Sequence, residues 1–299
     1  IKETKMNDIN DLVKIKENTI KNIKSLDQED LRKIDKAEEE LFNFDQDFSL
    51  LQCVIDNYES FELDLRNYLE SGYLTGNILD SKNYLTLIRI INKWLLNILS
   101  SFKAMIEHLE TRIKRNFGKD SIECKKLKEI LSREYDGQFA YAFSYKLRNY
   151  IQHCGMPKLS FNIVQDINDP SEMKLSLQID LDRDDLLQSY DGWTNVKPRL
   201  MELDRKICLL TILDDLVDSL VKILIEIKDL IGYEEAKAAK SFMLELINED
   251  NDYASQDYGI CKKMERSGEK LNIKIRILKT TLLNSVNTFE KLIGEYSTN

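Results

Sequence analysis

Apolar residues recur along most of this chain at steps of three and four, the spacing that gathers them on one face of an α-helix. Leu87, Ile91, Leu95, Ile98, Phe102, Met105, Leu109 and Ile113 predict a helix over about 82–116. Leu209, Leu213, Leu216, Leu220, Leu224, Ile227 and Ile231 predict a long one over about 198–231, ended by Gly232. Shorter helices are predicted over about 120–134 and 138–154. The second is closed by Gly155 and Pro157, because glycine accepts the left-handed closing conformation and proline cannot continue a helix. Toward the N-terminus, Ile9, Leu12, Ile15, Ile20 and Ile23 form an imperfect helical stripe over 1–24, and Asp27 reads as an N-cap. A helix with one break follows over about 28–71, closed at Ser71-Gly72 before a loop at 72–81. Residues 233–249 and 257–295 are read as two closing helices separated by the polar run Glu249-Asp250-Asn251-Asp252.

One segment changes period. Leu159, Phe161 and Ile163 alternate with polar residues, as do Met173, Leu175, Leu177, Ile179 and Leu181, and Asn168-Asp169-Pro170-Ser171 supplies a turn between them. A β-hairpin at about 158–181 follows, with one buried face. The expected architecture is predominantly all-α: an N-terminal helical arm (1–80), a central helical bundle with the hairpin (81–232) and C-terminal helices (233–299). Ten glycines and three prolines in 299 residues agree with long helices rather than a turn-rich sheet protein.

The net charge of −9 argues against a generally basic coat for nucleic acid. The charge is unevenly spread, however: from Lys103 to His153 eleven lysines and arginines face seven carboxylates. Five widely spaced cysteines (53, 124, 154, 208, 261) with no C-x-x-C disfavour a structural zinc site and a disulfide framework. No P-loop, dinucleotide fingerprint or G-x-S-x-G occurs, so neither a metal nor a cofactor is expected. The apolar runs around Trp94–Ile98 and Leu209–Ile227 are too short or are broken by Asp214, Asp215 and Asp218, so no membrane partner is expected and the expected location is the cytoplasm.

Catalytic residue types concentrate in one place. Of the two histidines, His153 lies in the segment Ser144-Tyr-Lys-Leu-Arg-Asn-Tyr-Ile-Gln-His-Cys-Gly-Met-Pro157, four residues beyond Asn149 and separated by four residues from Arg148. Imidazole is the proton-transfer group of neutral pH, arginine a permanent cation suited to phosphate, and asparagine a hydrogen-bonding orienter. On a helical wheel Ala140, Phe143, Leu147, Tyr150, Ile151 and Cys154 form the core stripe within about 60° of Leu147. Ala142, Tyr145, Asn149 and His153 lie about 120° to 160° away, flanked by Arg148 and Gln152. Two readings of that outward face stand: a partly solvated surface, or an isologous contact between two copies that brings two Arg/Asn/His sets to one cleft. Elsewhere the plain readings are preferred. His108 is read as solvated or interhelical, Asp214 and Asp218 as a solvated face, Lys125, Lys126, Lys128, Lys262 and Lys263 as solubilising charge, and Trp193 as a hydrophobic plug.

The string Arg148-Asn149-x-x-x-His153, on a helix of a bundle and with a polar residue directly after the arginine, resembles the R-x4-6-H signature of the HEPN superfamily of helical ribonucleases. The wider string from Phe143 to Pro157 is similar to the version in bacterial members, and the likeness spans about 82–231. The resemblance implies a helical bundle, a homodimer whose motif helices face each other, metal-independent cleavage of RNA, and use as a toxin or phage-defence effector under a regulatory protein or antitoxin. It gives His153 the role of general base or acid, Arg148 that of stabilising charge on the phosphoryl oxygens, and Asn149 that of an orienter. Tyr145 and Gln152 become candidates for substrate binding or the dimer face, with Ala142 at the close helix contact. The hairpin and the flanking arms depart from the family pattern. Two other functions remain open: a non-catalytic HEPN-like module that binds RNA or protein, and a helical scaffold whose arms bind another protein.

Overall fold

The structure, a computed structural model, describes residues 10–17, 19–75, 81–166, 174–248, 257–267 and 270–297. In chain order these form β1 (Asp11–Lys16), β2 (Thr19–Ser25), α1 (Gln28–Thr75), α2 (Ser81–Phe117), α3 (Ile122–Gly137), α4 (Phe139–Cys154), β3 (Leu159–Asp166), β4 (Lys174–Asp182) and α5 (Arg183–Ser189). A 3-10 segment (Asp191–Val196), α6 (Lys197–Glu202), β5 (Lys206–Cys208), α7 (Leu209–Glu226), α8 (Tyr233–Ile247), β6 (Asp257–Ser267), β7 (Lys270–Ile277) and α9 (Leu283–Ser297) follow. The protein is predominantly helical, and no described helix is long and apolar enough to cross a membrane. The chain divides into two compact units, a central one (Ser49–Ile227) and a terminal one (Ile1–Phe48 with Lys228–Asn299). The three expected segments, 1–80, 81–232 and 233–299, are thus regrouped.

In the central unit the helical stripes bury as the spacing predicts. All eight stripe residues of α2 from Leu87 to Ile113 are at most 1% exposed, and Leu209, Leu213, Leu216, Leu220 and Leu224 of α7 are wholly buried. At roughly 1.5–3 kcal/mol for each fully buried aliphatic side chain, these faces dominate the local energetics. α1 runs through Gly72 without a break. Its stripe Leu51, Val54, Tyr58, Phe61, Leu65 and Leu69 stays buried, and that packing outweighs the roughly 1 kcal/mol cost of an interior glycine. The expected hairpin forms as β3 and β4, with Leu159 opposite Leu181 and Ile163 opposite Leu177; its turn lies outside the described residues.

The long helix expected over 198–231 is divided. Leu203-Asp204-Arg205 adds no stripe residue, and the segment is drawn into the sheet instead: β5 joins β4, giving the order β3-β4-β5. The Arg183 N–H donates to the Arg205 carbonyl (2.8 Å), and the Arg205 guanidinium donates to Asp182 (3.0 Å). Trp193 is the plug expected of it. It is fully buried, its ring lies parallel to Phe143 (centroids 5.4 Å apart, 7° between planes), and its indole N–H donates to the Leu186 carbonyl (2.8 Å). Tyr190 meets Trp193 edge-on at 5.7 Å and Tyr150 at 5.9 Å.

The terminal unit corrects the reading of two flanking helical arms. Residues 11–24 and much of 257–295, both expected as helix, supply a four-stranded antiparallel sheet ordered β2-β1-β6-β7, while residues 1–9 of the first expected helix lie outside the described residues. Val13, Ile15, Thr19, Ile20 and Ile23 are β-branched, and Leu271, Ile273, Ile275 and Ile277 alternate with a period of two, so both segments favour strands. A turn with Glu17 at φ 51° joins β1 to β2. The apolar residues of 1–24 are spaced loosely enough to fit a helical template as well. What decides the outcome is a partner some 245 residues away, since β1 pairs with β6 from Asp11 opposite Cys261 to Ile15 opposite Asp257. In the same unit Phe44, Phe48, Tyr233 and Phe289 form an aromatic cluster with centroids 5.1–5.9 Å apart. The helix expected over 233–249 is observed as α8, and the last part of 257–295 as α9.

Gly192 generates a sharp stability test. A Cβ at this position would lie 2.1 Å from Cζ of Tyr190, whose ring is held by Trp193 and Tyr150. Gly192→Ala is expected to cost about 1–3 kcal/mol, as overpacking does. Gly137→Ala, where a Cβ meets nothing within 4 Å, is expected to be neutral. Thermal unfolding of the two variants beside the parent measures the difference, and equal midpoints would contradict the packing described for Tyr190.

Candidate active site

α4 begins at Phe139, after the extended cap residue Gln138, and closes at Gly155, which takes φ 94° and donates its N–H to the Ile151 carbonyl (3.2 Å). The expected boundaries, about 138–154, therefore stand to within one residue. The helix packs against α2, α3, α7 and the 3-10 segment that carries Trp193. Its two halves differ as a result. Ala140, Tyr141, Ala142, Phe143 and Ser144 are five consecutive buried residues, so the first half is covered on every side. In the second half Leu147, Tyr150 and Ile151 are buried, Tyr145, Lys146, Arg148 and Asn149 are half-buried, and Gln152, His153 and Cys154 are exposed.

Ala142, expected on an outward face at a contact between two copies, is corrected by the structure: it is 1% exposed. The helical wheel alone puts it about 140° from Leu147, where α4 needs no cover; the neighbouring helices supply cover there nonetheless. Cys154, expected in the core stripe, is exposed, with its thiol donating to the Ser189 carbonyl (3.3 Å). The stripe loses its cover before its last residue.

The five predicted site residues share the uncovered arc of the second half. Arg148 and His153 stand at its two margins, about 140° apart around the axis, with Gln152, Tyr145 and Asn149 between them. Arg148 Nη1 donates to Gln152 Oε1 (2.7 Å), one turn further on. Neither Asn149 nor His153 makes a side-chain hydrogen bond or ion pair with another described residue. The structure therefore joins Arg148 to Gln152, keeps Asn149 and His153 adjacent along one row, and assigns Tyr145 elsewhere.

Tyr145 belongs to a cluster that the sequence did not announce. Its hydroxyl accepts a hydrogen bond from Lys103 Nζ of α2 (2.7 Å), and that ammonium lies 4.1 Å from the ring centroid. Lys103 is only 15% exposed and sits 3.4 Å from Glu107 Oε1. Tyr135 of α3 meets Tyr145 and Tyr141 edge-on at 6.0 and 6.4 Å, and its hydroxyl donates to Asn195 Oδ1 (3.2 Å). Burial, with the neighbouring Tyr145, Glu110 and Glu134, pushes the Tyr141 hydroxyl far above the ordinary phenol range. Burial likewise raises Tyr135. These phenols stay neutral donors at working pH. Lys103 gave no sequence signal because it follows Phe102 on α2 as any stripe-flanking lysine does; only packing brings it to α4.

The second histidine has a different setting. His108 is exposed on α2, and partial burial together with the cationic Arg112 and Arg115 lowers its pKa. Asp214, read as solvated, is exposed but accepts a hydrogen bond from the Tyr58 hydroxyl. Among the described residues no group of three or more His, Cys, Asp or Glu side chains is placed to hold a metal ion. The arrangement offers a permanent cation, an amide pair and an accessible imidazole on one helix surface, a set suited to gripping a phosphodiester and moving a proton beside it.

Burial separates two kinds of substitution on α4. Ala142→Arg puts an unpaired cation where 1% of the residue is exposed, so it is expected to abolish cooperative folding rather than leave folded monomers. Asn149→Ala and His153→Ala, on the open arc, are expected to stay within about 0.5 kcal/mol of the parent. Circular dichroism melts test both; a folded Ala142→Arg chain would mean that the first half of α4 is not enclosed. No protein-family model, curated protein or solved structure matches the chain, so the site stands on its own residues.

Proposed function

We propose that this chain is a metal-independent endoribonuclease of the HEPN type, acting as a homodimer on RNA in the cytoplasm. The observation that carries the reading is the placement of Arg148, Asn149, Gln152 and His153 together on one uncovered arc of α4, on the side away from Leu147. RNA supplies its own nucleophile, so the protein needs only a proton acceptor, a cation for the phosphate and alignment. His153 takes the proton of the 2′-hydroxyl as that oxygen attacks phosphorus. The bond from phosphorus to the 5′-oxygen breaks, and the departing oxygen takes up a proton, leaving a 2′,3′-cyclic phosphate. Arg148 stabilises the charge that develops on the phosphoryl oxygens, and Asn149 aligns the phosphate or the imidazole.

The 140° divergence of Arg148 and His153 on one helix supports a composite site. Side chains that diverge on one copy converge when a second copy faces it across a two-fold axis, with the arginine of one chain opposite the histidine of the other. With Ala142 buried, this contact uses the second half of α4 alone. A regulator that covers the open arc would silence such an enzyme, as toxin or defence use requires. One observation favours the non-catalytic reading: Arg148 Nη1 is already bonded to Gln152. An amide neutralises none of the guanidinium charge, however, and the cleavage reading is retained.

The protein is expected to cut single-stranded RNA in EDTA, to leave the matching DNA intact, and to produce cyclic-phosphate ends detectable by mass spectrometry. His153→Ala and Arg148→Ala are each expected to lower the rate roughly 10²-fold or more, while His108→Ala leaves it near the parent value. Mixing the Arg148 and His153 variants is expected to restore part of the rate, since one of the two composite sites then keeps both groups. Equal rates for all three single variants would eliminate the ribonuclease, and absence of complementation would eliminate sharing of one site between chains.

A further inference from the structure

The contact between Lys103 of α2 and Tyr145 of α4 fixes the direction of one hydrogen bond. An ammonium has three N–H donors and no acceptor, so Lys103 Nζ donates and the Tyr145 oxygen accepts (2.7 Å). The phenolic proton is therefore turned elsewhere. Among the described residues no carboxylate, carbonyl or other acceptor receives it. The ring that carries it is held from two sides: the Lys103 ammonium lies 4.1 Å from its centroid, and Tyr135 of α3 meets it edge-on at 6.0 Å. The fold thus presents an O–H donor in a set position and leaves it unused.

A plain pin between two helices would not need that hydroxyl. Phenylalanine would offer the ammonium a ring face and Tyr135 an edge contact, with no polar proton left to satisfy. The neighbouring phenol shows the contrast, since Tyr135 donates its own proton within the fold, to Asn195 Oδ1 (3.2 Å). Lys103 is also costly where it stands. Its side chain is mostly buried, with Glu107 Oε1 3.4 Å away, and withdrawing an ammonium from water is unfavourable unless its bonds are made. On the Tyr145 oxygen that cation has a further effect: it draws electron density from the O–H bond and makes the phenol a stronger donor. A polarised donor with no internal acceptor suits an anionic oxygen supplied by a ligand.

Tyr145 lies one turn before Arg148 and Asn149, half-buried on the same uncovered arc. Side chains three and four apart on a helix stand about 5–6 Å from each other. That is close to the separation of successive phosphates along one strand, and Tyr145 lies on the side of Arg148 away from His153. We infer that Tyr145, held and polarised by Lys103, donates its hydroxyl proton to the phosphate next to the scissile one, which makes Lys103 a positioning residue for a second phosphate subsite. The inference rests on the proposed cleavage reaction for which phosphate is scissile; the direction of the Tyr145 donor does not depend on it.

Binding is measured by fluorescence anisotropy in EDTA with a single strand carrying 2′-fluoro sugars, which cannot be cut by 2′-hydroxyl attack, so failure of cleavage and failure of the subsite are read separately. Tyr145→Phe, which keeps the ring and loses only the hydroxyl, is expected to weaken binding about tenfold or more, as loss of a hydrogen bond to a charged group does. On RNA the same variant is expected to raise KM by a like factor while kcat falls no more than about threefold, because the phosphate it holds is not the one that reacts. Lys103→Met keeps the aliphatic stem. It is expected to weaken binding about threefold to tenfold in the parent and by less than about twofold more in the Tyr145→Phe background, since it acts through that hydroxyl. Tyr135→Phe, which removes a hydroxyl bonded within the fold, is expected to stay within about twofold of the parent. An unchanged affinity for Tyr145→Phe would overturn the inference, as would equal losses for Tyr145→Phe and Tyr135→Phe, which would mark a packing effect. So would a Lys103→Met loss of the same size in both backgrounds, which would make the ammonium itself the phosphate contact. A parent that binds the 2′-fluoro strand but cuts no RNA removes the cleavage reaction and leaves the subsite standing; a parent that does neither removes both.

Discussion

The parallel stack of Phe143 on Trp193 is the contact on which the candidate site depends. Rings 5.4 Å apart and 7° from parallel, with the indole N–H bonded to the Leu186 carbonyl, fix α4 against the segment that follows the hairpin. Tyr150, 5.9 Å from the same indole and one turn beyond Leu147, extends the hold into the second half of the helix. Aromatic pairs of this kind contribute roughly 0.5–1.5 kcal/mol beyond their area burial. Their larger effect is geometric. They fix the rotation of α4 about its axis, and that rotation turns Arg148, Asn149, Gln152 and His153 toward solvent. An arc of polar residues on a loosely held helix would present Arg148 and His153 at no defined angle, and a composite phosphate site tolerates little such error.

Charge placement follows a related logic. In a chain with a net charge of −9, the fold decides which cations meet which neighbours. Lys103 of α2 is brought to Tyr145 beside the arc of α4 in the central unit. That contact is invisible to a count along the sequence, because the two residues come from separate segments. A local excess of cations such as that from Lys103 to His153 shows where basic residues are dense, not which of them face together.

Helical periodicity proved dependable where burial is one-sided and continuous. The stripes of α2 and α7 and the boundaries of α4 follow from spacing and a closing glycine, since a helix with one apolar face has one stable way to bury it. Periodicity failed where short apolar runs fit two templates. Ile9, Leu12, Ile15, Ile20 and Ile23 satisfy a loose helical count, but Val13, Ile15 and Ile20 also satisfy a strand. The alternation from Leu271 to Ile277 was plain evidence of a strand within a segment read as helix. A short strand gains little until its neighbours are present, and those of β1 come from both ends of the chain.

For the site itself, residue chemistry and spacing sufficed to single out Arg148, Asn149, Gln152 and His153 and to set them on the side of α4 away from Leu147, because both follow from local sequence and the 100° step of a helix. Tertiary packing decided how much of that side stays open. Neighbouring elements close over Ala142 and Ser144 and leave Cys154 uncovered, while Tyr145 is held by a lysine from another helix. A helical wheel knows the direction of each side chain but not what lies in that direction, and burial is a property of the neighbours. The sequence by itself therefore determined which polar side chains stand on one side of α4, whereas the fold alone decided which residues of that helix reach solvent and that a lysine from a distant helix meets Tyr145.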